Sequence, residues 1–195
     1  MSDPGDEVLL AAYRDGNSEA FATLLQRYRG PLFTFLLRSV GERGRAEELY
    51  QDVWIRVIER CGEFRGDAKF STWLYRIARN LSIDHQRKMK FRGHASLDAA
   101  QPSTGQSIGE RIANPGPSTE QLALGGLVRQ RIADAVDALP EDQREVFLLR
   151  QLEGLGFREI AEVVGAPVNT VKSRMRYALV RLQEILSDLE QADEL

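Results

Sequence analysis

Apolar residues recur at helical spacing on both sides of one long polar interruption. Phe21, Leu24, Leu25 and Tyr28 stand at i, i+3, i+4 and i+7, the signature of a helix with one buried face. Ala46, Leu49, Tyr50 and Val53 repeat the pattern and run on through Trp54, Val57 and Ile58. Phe70, Trp73, Leu74, Ile77, Ala78 and Leu81 repeat it again. Three or four such stripes facing one another predict a small all-α bundle. No segment alternates as a strand would. The run from Val146 to Leu149 is β-like alone, but its charged flanks suit a helix that opens after Pro140, carries Glu141 and Asp142 in its first turn, and stops at Gly154.

The interruption, from Gly93 to Glu120, is rich in Gly, Pro, Ser and Thr and has no sustained apolar period. It reads as a linker, too long for a loop inside one compact unit. The expected organisation is therefore a first helical domain over 1–92, a flexible linker over 93–125, a second helical domain over 126–187, and an acidic tail over 188–195.

The second domain carries the clearest local signal. After a helix pair, Val128–Ala138 and Glu141–Glu153, a short amphipathic helix from Arg158 to Val164 turns Ile160, Ala161 and Val164 inward. Gly165 suits the left-handed turn that follows, and Pro167 suits the opening of the next helix. In that helix Val168, Val171, Met175, Ala178, Leu179 and Leu182 form an apolar stripe. Asn169, Lys172, Ser173 and Arg176 form a separate polar face. This is the pattern of a helix-turn-helix whose second helix lies in a major groove, where Lys and Arg reach guanine or phosphate and Asn reads adenine. A plain helical hairpin with a cationic surface is the competing reading.

Charge sharpens the picture. The 195-residue chain is acidic overall, with 26 Lys+Arg against 29 Asp+Glu. Yet from Val53 to Arg92 ten bases face four acids, and from Arg158 to Arg181 five bases face two. Two basic patches on an acidic protein suggest two contacts with a polyanion, with solvated helix faces as the alternative. A single cysteine, Cys61, excludes an internal disulfide and any zinc site with two or more thiolates. His85 and His94 show neither triad order nor ligand spacing, so no catalytic, metal or cofactor site is expected. No apolar run reaches the roughly 18 residues of a spanning helix, and the acidic start lacks a signal-peptide core. The expectation is a soluble protein of a reducing cytoplasm, without membrane insertion.

The first domain mixes aromatics with bases. The helix that begins near Phe70 can be capped by Ser71 or Thr72. Outside its apolar stripe it carries Tyr75, Arg76, Arg79, Asn80, Asp84, Arg87 and Lys88. Cations that follow a backbone, beside planar groups that accept unstacked bases, are what single-stranded nucleic acid needs. The preceding loop, Phe64 to Phe70, is polar and glycine-bearing and can accept a flipped base. Trp73, Leu74 and Ile77 read as core. On the helix from Ala46 to Glu59, Glu48, Gln51, Asp52 and Ile55 share a second face, either solvated or a protein contact with one apolar centre.

The order AEELYQDVWIRVIERCGEFRGDAKFSTWLYRIARNLSIDHQRK, a linker, then LPEDQREVFLLRQLEGLGFREIAEVVGAPVNTVKSRMRYALVRL resembles the bacterial sigma-70 family, and within it the small extracytoplasmic-function group built from sigma domains 2 and 4. The resemblance implies that Glu48, Leu49, Gln51, Asp52, Ile55 and Arg56 bind the β′ clamp helices of core RNA polymerase. It implies that Phe64, Arg65, Asp67, Lys69, Phe70, Tyr75, Arg76, Arg79, Asn80, Asp84, Arg87 and Lys88 recognise and melt the promoter −10 element. Asn169, Thr170, Lys172, Ser173, Arg174, Arg176, Tyr177 and Arg181 would read the −35 duplex, while the second domain also grips the β flap. The linker would thread toward the polymerase active-site channel. An anti-sigma factor is a further implied partner, and no enzymatic activity is implied. Gly156 stands where the family often has a hydroxyl residue, and Pro167 where Ser is common, which weakens the cap by a fraction of ~1 kcal/mol. The lack of a long acidic first region departs from housekeeping sigma factors. A helix-turn-helix regulator that never joins core polymerase is the rival reading. It leaves the acidic helix and the aromatic-basic helix unexplained.

Overall fold

The computed structural model describes residues 3–95 and 119–193. Over these residues the chain is all-helical, as the periodicity predicts. α1 (Asp6–Arg14), α2 (Ser18–Val40), α3 (Arg43–Arg60) and α4 (Phe70–Ala95) form one unit, with a 3₁₀ turn at Cys61–Glu63. α5 (Thr119–Asp137), α6 (Glu141–Glu153), α7 (Phe157–Val164) and α8 (Val168–Asp193) form the other. Helix therefore occupies both ends of the stretch expected as a linker, and it runs through most of the expected tail. Thr119 and Glu120 begin a segment, LALGGLVRQRIA, whose apolar residues allow helix despite two glycines. The rest of the expected linker lies outside the described residues.

The first unit is organised around Leu24, Leu32, Phe35, Leu36, Ala46, Val53, Val57, Phe70, Leu74 and Tyr75, all essentially inaccessible to solvent. Its aromatics meet edge-on: Phe35 with Tyr75 at 5.2 Å, Tyr28 with Phe70 at 5.5 Å. Such pairs add to the hydrophobic gain of burial. α2 is capped by Asn17, whose Oδ1 accepts from the N–H groups of Glu19 and Ala20.

Ser71 and Thr72 do not cap α4. Both are buried inside its first turn, and the Thr72 hydroxyl has no partner. The Phe70 N–H instead donates to the Glu7 carboxylate of α1 at 2.9 Å, so the helix start is satisfied from 63 residues away in sequence. Two residues of the expected apolar stripes face water: Ile58 on α3 is 43% exposed and Leu179 on α8 is 48% exposed. Each lies at the margin of a stripe whose centre is filled by its neighbours.

The two units touch. α6 packs on α2, and α7 packs on α4. Gln86 donates to the carbonyl of Ser39 within the first unit, and Arg38 of α2 pairs with Asp137 at the end of α5.

Candidate nucleic-acid interface

The helix-turn-helix of α7 and α8 forms for local reasons. Gly156 precedes α7, and its N–H donates to the Glu159 carboxylate at 2.6 Å, one half of a capping box. Gly165 ends α7 at φ +65°, a conformation a side chain resists. Pro167 then precedes α8, and Val171 donates back to its carbonyl at 3.1 Å. Ile160, Val163 and Val164 of α7 meet Val171, Met175, Ala178 and Leu182 of α8 in the core of the second unit.

That packing leaves one face of α8 outward. Asn169, Lys172, Ser173, Arg176 and Arg181 are exposed, and Thr170 is partly so. The Arg176 guanidinium lies 4.9 Å from the centre of the Tyr177 ring and donates to its hydroxyl at 3.2 Å, which limits the rotamers the arginine must give up on binding. Arg174 differs: its Nε is 3.0 Å from an Asp142 carboxylate oxygen, so it braces α8 against α6.

On the first unit Arg65, Asp67, Lys69, Arg76, Asn80, Asp84, Arg87 and Lys88 are exposed, and Phe64 is partly exposed. Phe70 and Tyr75 depart from the expected nucleic-acid face. Phe70 is enclosed by Tyr28, Phe64 and Trp73, and Tyr75 lies wholly inside the junction between the units. Both fall on the inner side of α4, where their rings fill core volume.

The polar groups at the junction pair across it. Arg79 Nε donates to Glu145 at 2.6 Å, the Tyr75 hydroxyl donates to Glu153 at 2.9 Å, and Lys69 meets Glu159 at 2.9 Å. Burial pushes the Glu145 carboxyl above its usual range, outweighing the attraction of Arg79. Burial likewise pushes Glu153 up to about 7, with the Tyr75 hydrogen bond opposing and the charge of Asp6 adding. Glu159 shifts the other way, held down by Lys69 and by the Gly156 N–H. Glu145 and Glu153 had no local sequence signal, because their partners sit on a different unit.

The third surface is on α3. Glu48, Gln51, Asp52 and Ile55 are exposed together as expected, and Ile58 joins them; Ile55 is 53% exposed. Leu49 does not belong to this face, being 4% exposed and packed in the core. Arg56 is partly exposed and lies 3.7 Å from Glu59.

A helix-turn-helix with a basic outer face, joined to a second basic helix and an acidic-apolar one, defines a two-unit DNA-binding transcription factor. Residues 24–92 match Sigma-70 region 2, and residues 129–182 match Sigma-70, region 4. The chain is 35% identical over 173 residues to the ECF RNA polymerase sigma-E factor of Escherichia coli K12, spanning 87% of this chain and 88% of that one. It is 30% identical over 186 residues to the RNA polymerase sigma-H factor of Pseudomonas aeruginosa, spanning 94% and 95%. In fold it matches the sigma factor RpoE of Bartonella quintana, solved in complex with the anti-sigma factor NepR, with a TM-score of 0.68 at 25% identity over 86% of this chain and 96% of that one. The chain belongs to the extracytoplasmic-function group of bacterial sigma-70 factors. It is a transcription initiation factor that directs promoter choice, and the family carries no catalytic activity of its own.

Proposed function

We propose that the three surfaces divide the work of initiation. The α3 face of Glu48, Gln51, Asp52, Ile55 and Ile58 docks on the β′ clamp helices of core polymerase, its isoleucines supplying an apolar centre within a polar rim. The α8 face of Asn169, Lys172, Ser173 and Arg176 enters the major groove at the −35 element. The exposed groups of α4 and the loop before it, Arg65, Arg76, Asn80, Arg87 and Lys88, take the non-template strand at −10. The second unit also grips the β flap. We further read an anti-sigma factor as a partner, by analogy with the complex in which the Bartonella relative was solved. Among the described residues no helix is long and apolar enough to cross a membrane, and the site of action is the cytoplasm, where polymerase works.

Melting a promoter costs stacking energy of ~1.4 kcal/mol per step. Captured bases offset that cost, and two modest contacts on one chain gain from each other only at a fixed span. Core polymerase supplies the span. The observation that carries this reading is the outward display of two separate basic faces, on α8 and α4, by a chain whose net charge is −3.

The test is co-elution with core polymerase, followed by permanganate footprinting of the unpaired −10 thymines. Asn80→Ala and Lys88→Ala should leave co-elution intact and reduce thymine reactivity. Unchanged reactivity in both would overturn the assignment of α4. Failure of the wild-type chain to co-elute would favour the rival helix-turn-helix regulator.

A further inference from the structure

We propose that α1 is a strap that sets the shape of the Phe64–Phe70 loop, with Glu7 and Arg14 as positioning residues for the unpaired base that the loop takes from the −10 strand. This rests on the reading of the loop as part of the −10 face and adds what holds it in shape. Neither residue touches DNA.

The loop has little of its own to fix it. Residues 64–69 form neither helix nor strand, Gly66 stands at φ +78°, and Arg65, Asp67 and Lys69 are exposed. Left alone, such a segment would spend binding energy on ordering itself around a base. Its ends are anchored instead. Phe70 is wholly buried beside Tyr28 and Trp73, and the Phe64 ring lies 5.3 Å from that of Trp73.

α1 then holds the backbone at both ends. The Phe70 N–H donates to the Glu7 carboxylate at 2.9 Å, and the Arg14 guanidinium donates to the Phe64 carbonyl at 3.4 Å. Glu7 and Arg14 are seven residues apart, so they share one face of α1 about two turns from each other. Gripping the backbone fixes the path of the loop and leaves the side chains of Arg65 and Asp67 pointing outward. An acid in the first turn and a base in the last also suit the helix dipole. The dipole accounts for their signs, but not for both reaching the same loop.

A strap needs a fixed mount, and α1 has one along its whole length. In its first turn Asp6 pairs with Arg27 of α2 and accepts from the Tyr28 hydroxyl, while Arg27 also reaches Asp3 at 2.6 Å. In its middle Leu9 and Leu10 are buried in the core of the first unit. Near its end Tyr13 stacks on Phe21 with ring centres 4.5 Å apart. Glu7 and Arg14 themselves are exposed, so replacing them leaves that mount intact.

The experiment uses holoenzyme, assembled from core polymerase and the full chain, on a promoter that it melts. Each −10 base of the non-template strand is changed singly, and open-complex formation is read by permanganate. Discrimination is the ratio of original to changed base. Arg65→Ala and Asp67→Ala locate the base that the loop takes, as the position where discrimination falls. There the double variant Glu7→Ala with Arg14→Ala should lower discrimination at least fivefold, with −35 discrimination and co-elution unchanged. Glu7→Gln keeps an acceptor for the Phe70 N–H and should retain discrimination. Asn17→Ala destabilises the same unit by removing the α2 cap, and should leave discrimination unchanged.

A base that responds to Arg65→Ala or Asp67→Ala but not to the double variant overturns the strap alone. An equal loss in Asn17→Ala assigns the effect to stability and also overturns it. A smaller salt slope for Arg14→Ala would make that residue a phosphate contact and refute its positioning role. If no base responds to Arg65→Ala or Asp67→Ala, the reading of the loop fails, and the strap with it.

Discussion

Replacing Tyr75 by Phe removes one oxygen from the junction and leaves the ring in place. The ring is fully buried and stands edge-on to Phe35 at 5.2 Å, so packing survives. What is lost is the 2.9 Å hydrogen bond to Glu153. Burial holds that carboxyl up to about 7 against an ordinary value of 4.5, with Asp6 of α1 adding to the shift and Tyr28 of α2 facing the same charge. Below about 7 the bond joins two neutral groups and is worth about 1 kcal/mol. Above it the acceptor is a carboxylate, and the bond is worth about 2 kcal/mol. Tyr75→Phe should therefore lower stability by about 1 kcal/mol near pH 6 and by about 2 kcal/mol near pH 8.

The wild type has its own pH dependence, of definite sign. Glu153 has the higher affinity for protons when folded, so folding takes up a proton. The stability this contributes is fully present below about pH 4.5 and is lost as pH rises through about 7. Glu145, also raised by burial, titrates in the same sense, and comparing Tyr75→Phe with wild type at each pH isolates Glu153. Urea denaturation of both chains at each pH reads the difference directly. An equal effect of Tyr75→Phe at both pH values, or none, would refute this account of the junction.

Arg176→Ala should cost holoenzyme about 1–3 kcal/mol on a promoter with an intact −35 element and nothing where that element is scrambled, if the arginine reads a base edge. A uniform loss with a salt slope smaller by about 0.9, measured by filter binding across ionic strength, would assign it to phosphate instead. Ile55→Glu with Ile58→Glu should abolish co-elution with core polymerase at unchanged melting temperature, since each isoleucine buried in an interface contributes about 1.5–3 kcal/mol. Glu7→Ala removes the acceptor for the first N–H of α4 and should lower stability by about 1 kcal/mol in thermal or urea denaturation, with Glu7→Gln recovering part of it.

Helical periodicity placed α2, α3, α4 and the helix-turn-helix, because a buried stripe recurs in each, while α1 and the first turns of α5 were not foreseen. It misjudged the edges of the stripes: Ile58 and Leu179 are apolar residues at helical spacing, and only the position of the neighbouring helix decides that they face water. The turn glycines were legible, since Gly154 and Gly165 at positive φ reflect backbone sterics alone. The cap of α4 was not, because Ser71 and Thr72 carry the usual cap chemistry while the acceptor comes from Glu7 in another helix. Tyr75 and Phe70 show the same limit for the site. An aromatic beside bases fits a nucleic-acid face or a core equally well, and only tertiary packing put both rings inside. The junction pairs join residues 66 and 78 apart, beyond any local pattern.

Run-off transcription with purified core polymerase, with and without this chain, on genomic fragments that include the region upstream of its own gene, addresses the central claim most directly. The account predicts discrete transcripts from defined start points that appear only when the chain is added and that vanish when the −35 sequence is scrambled. Transcript patterns identical with and without the chain would contradict it.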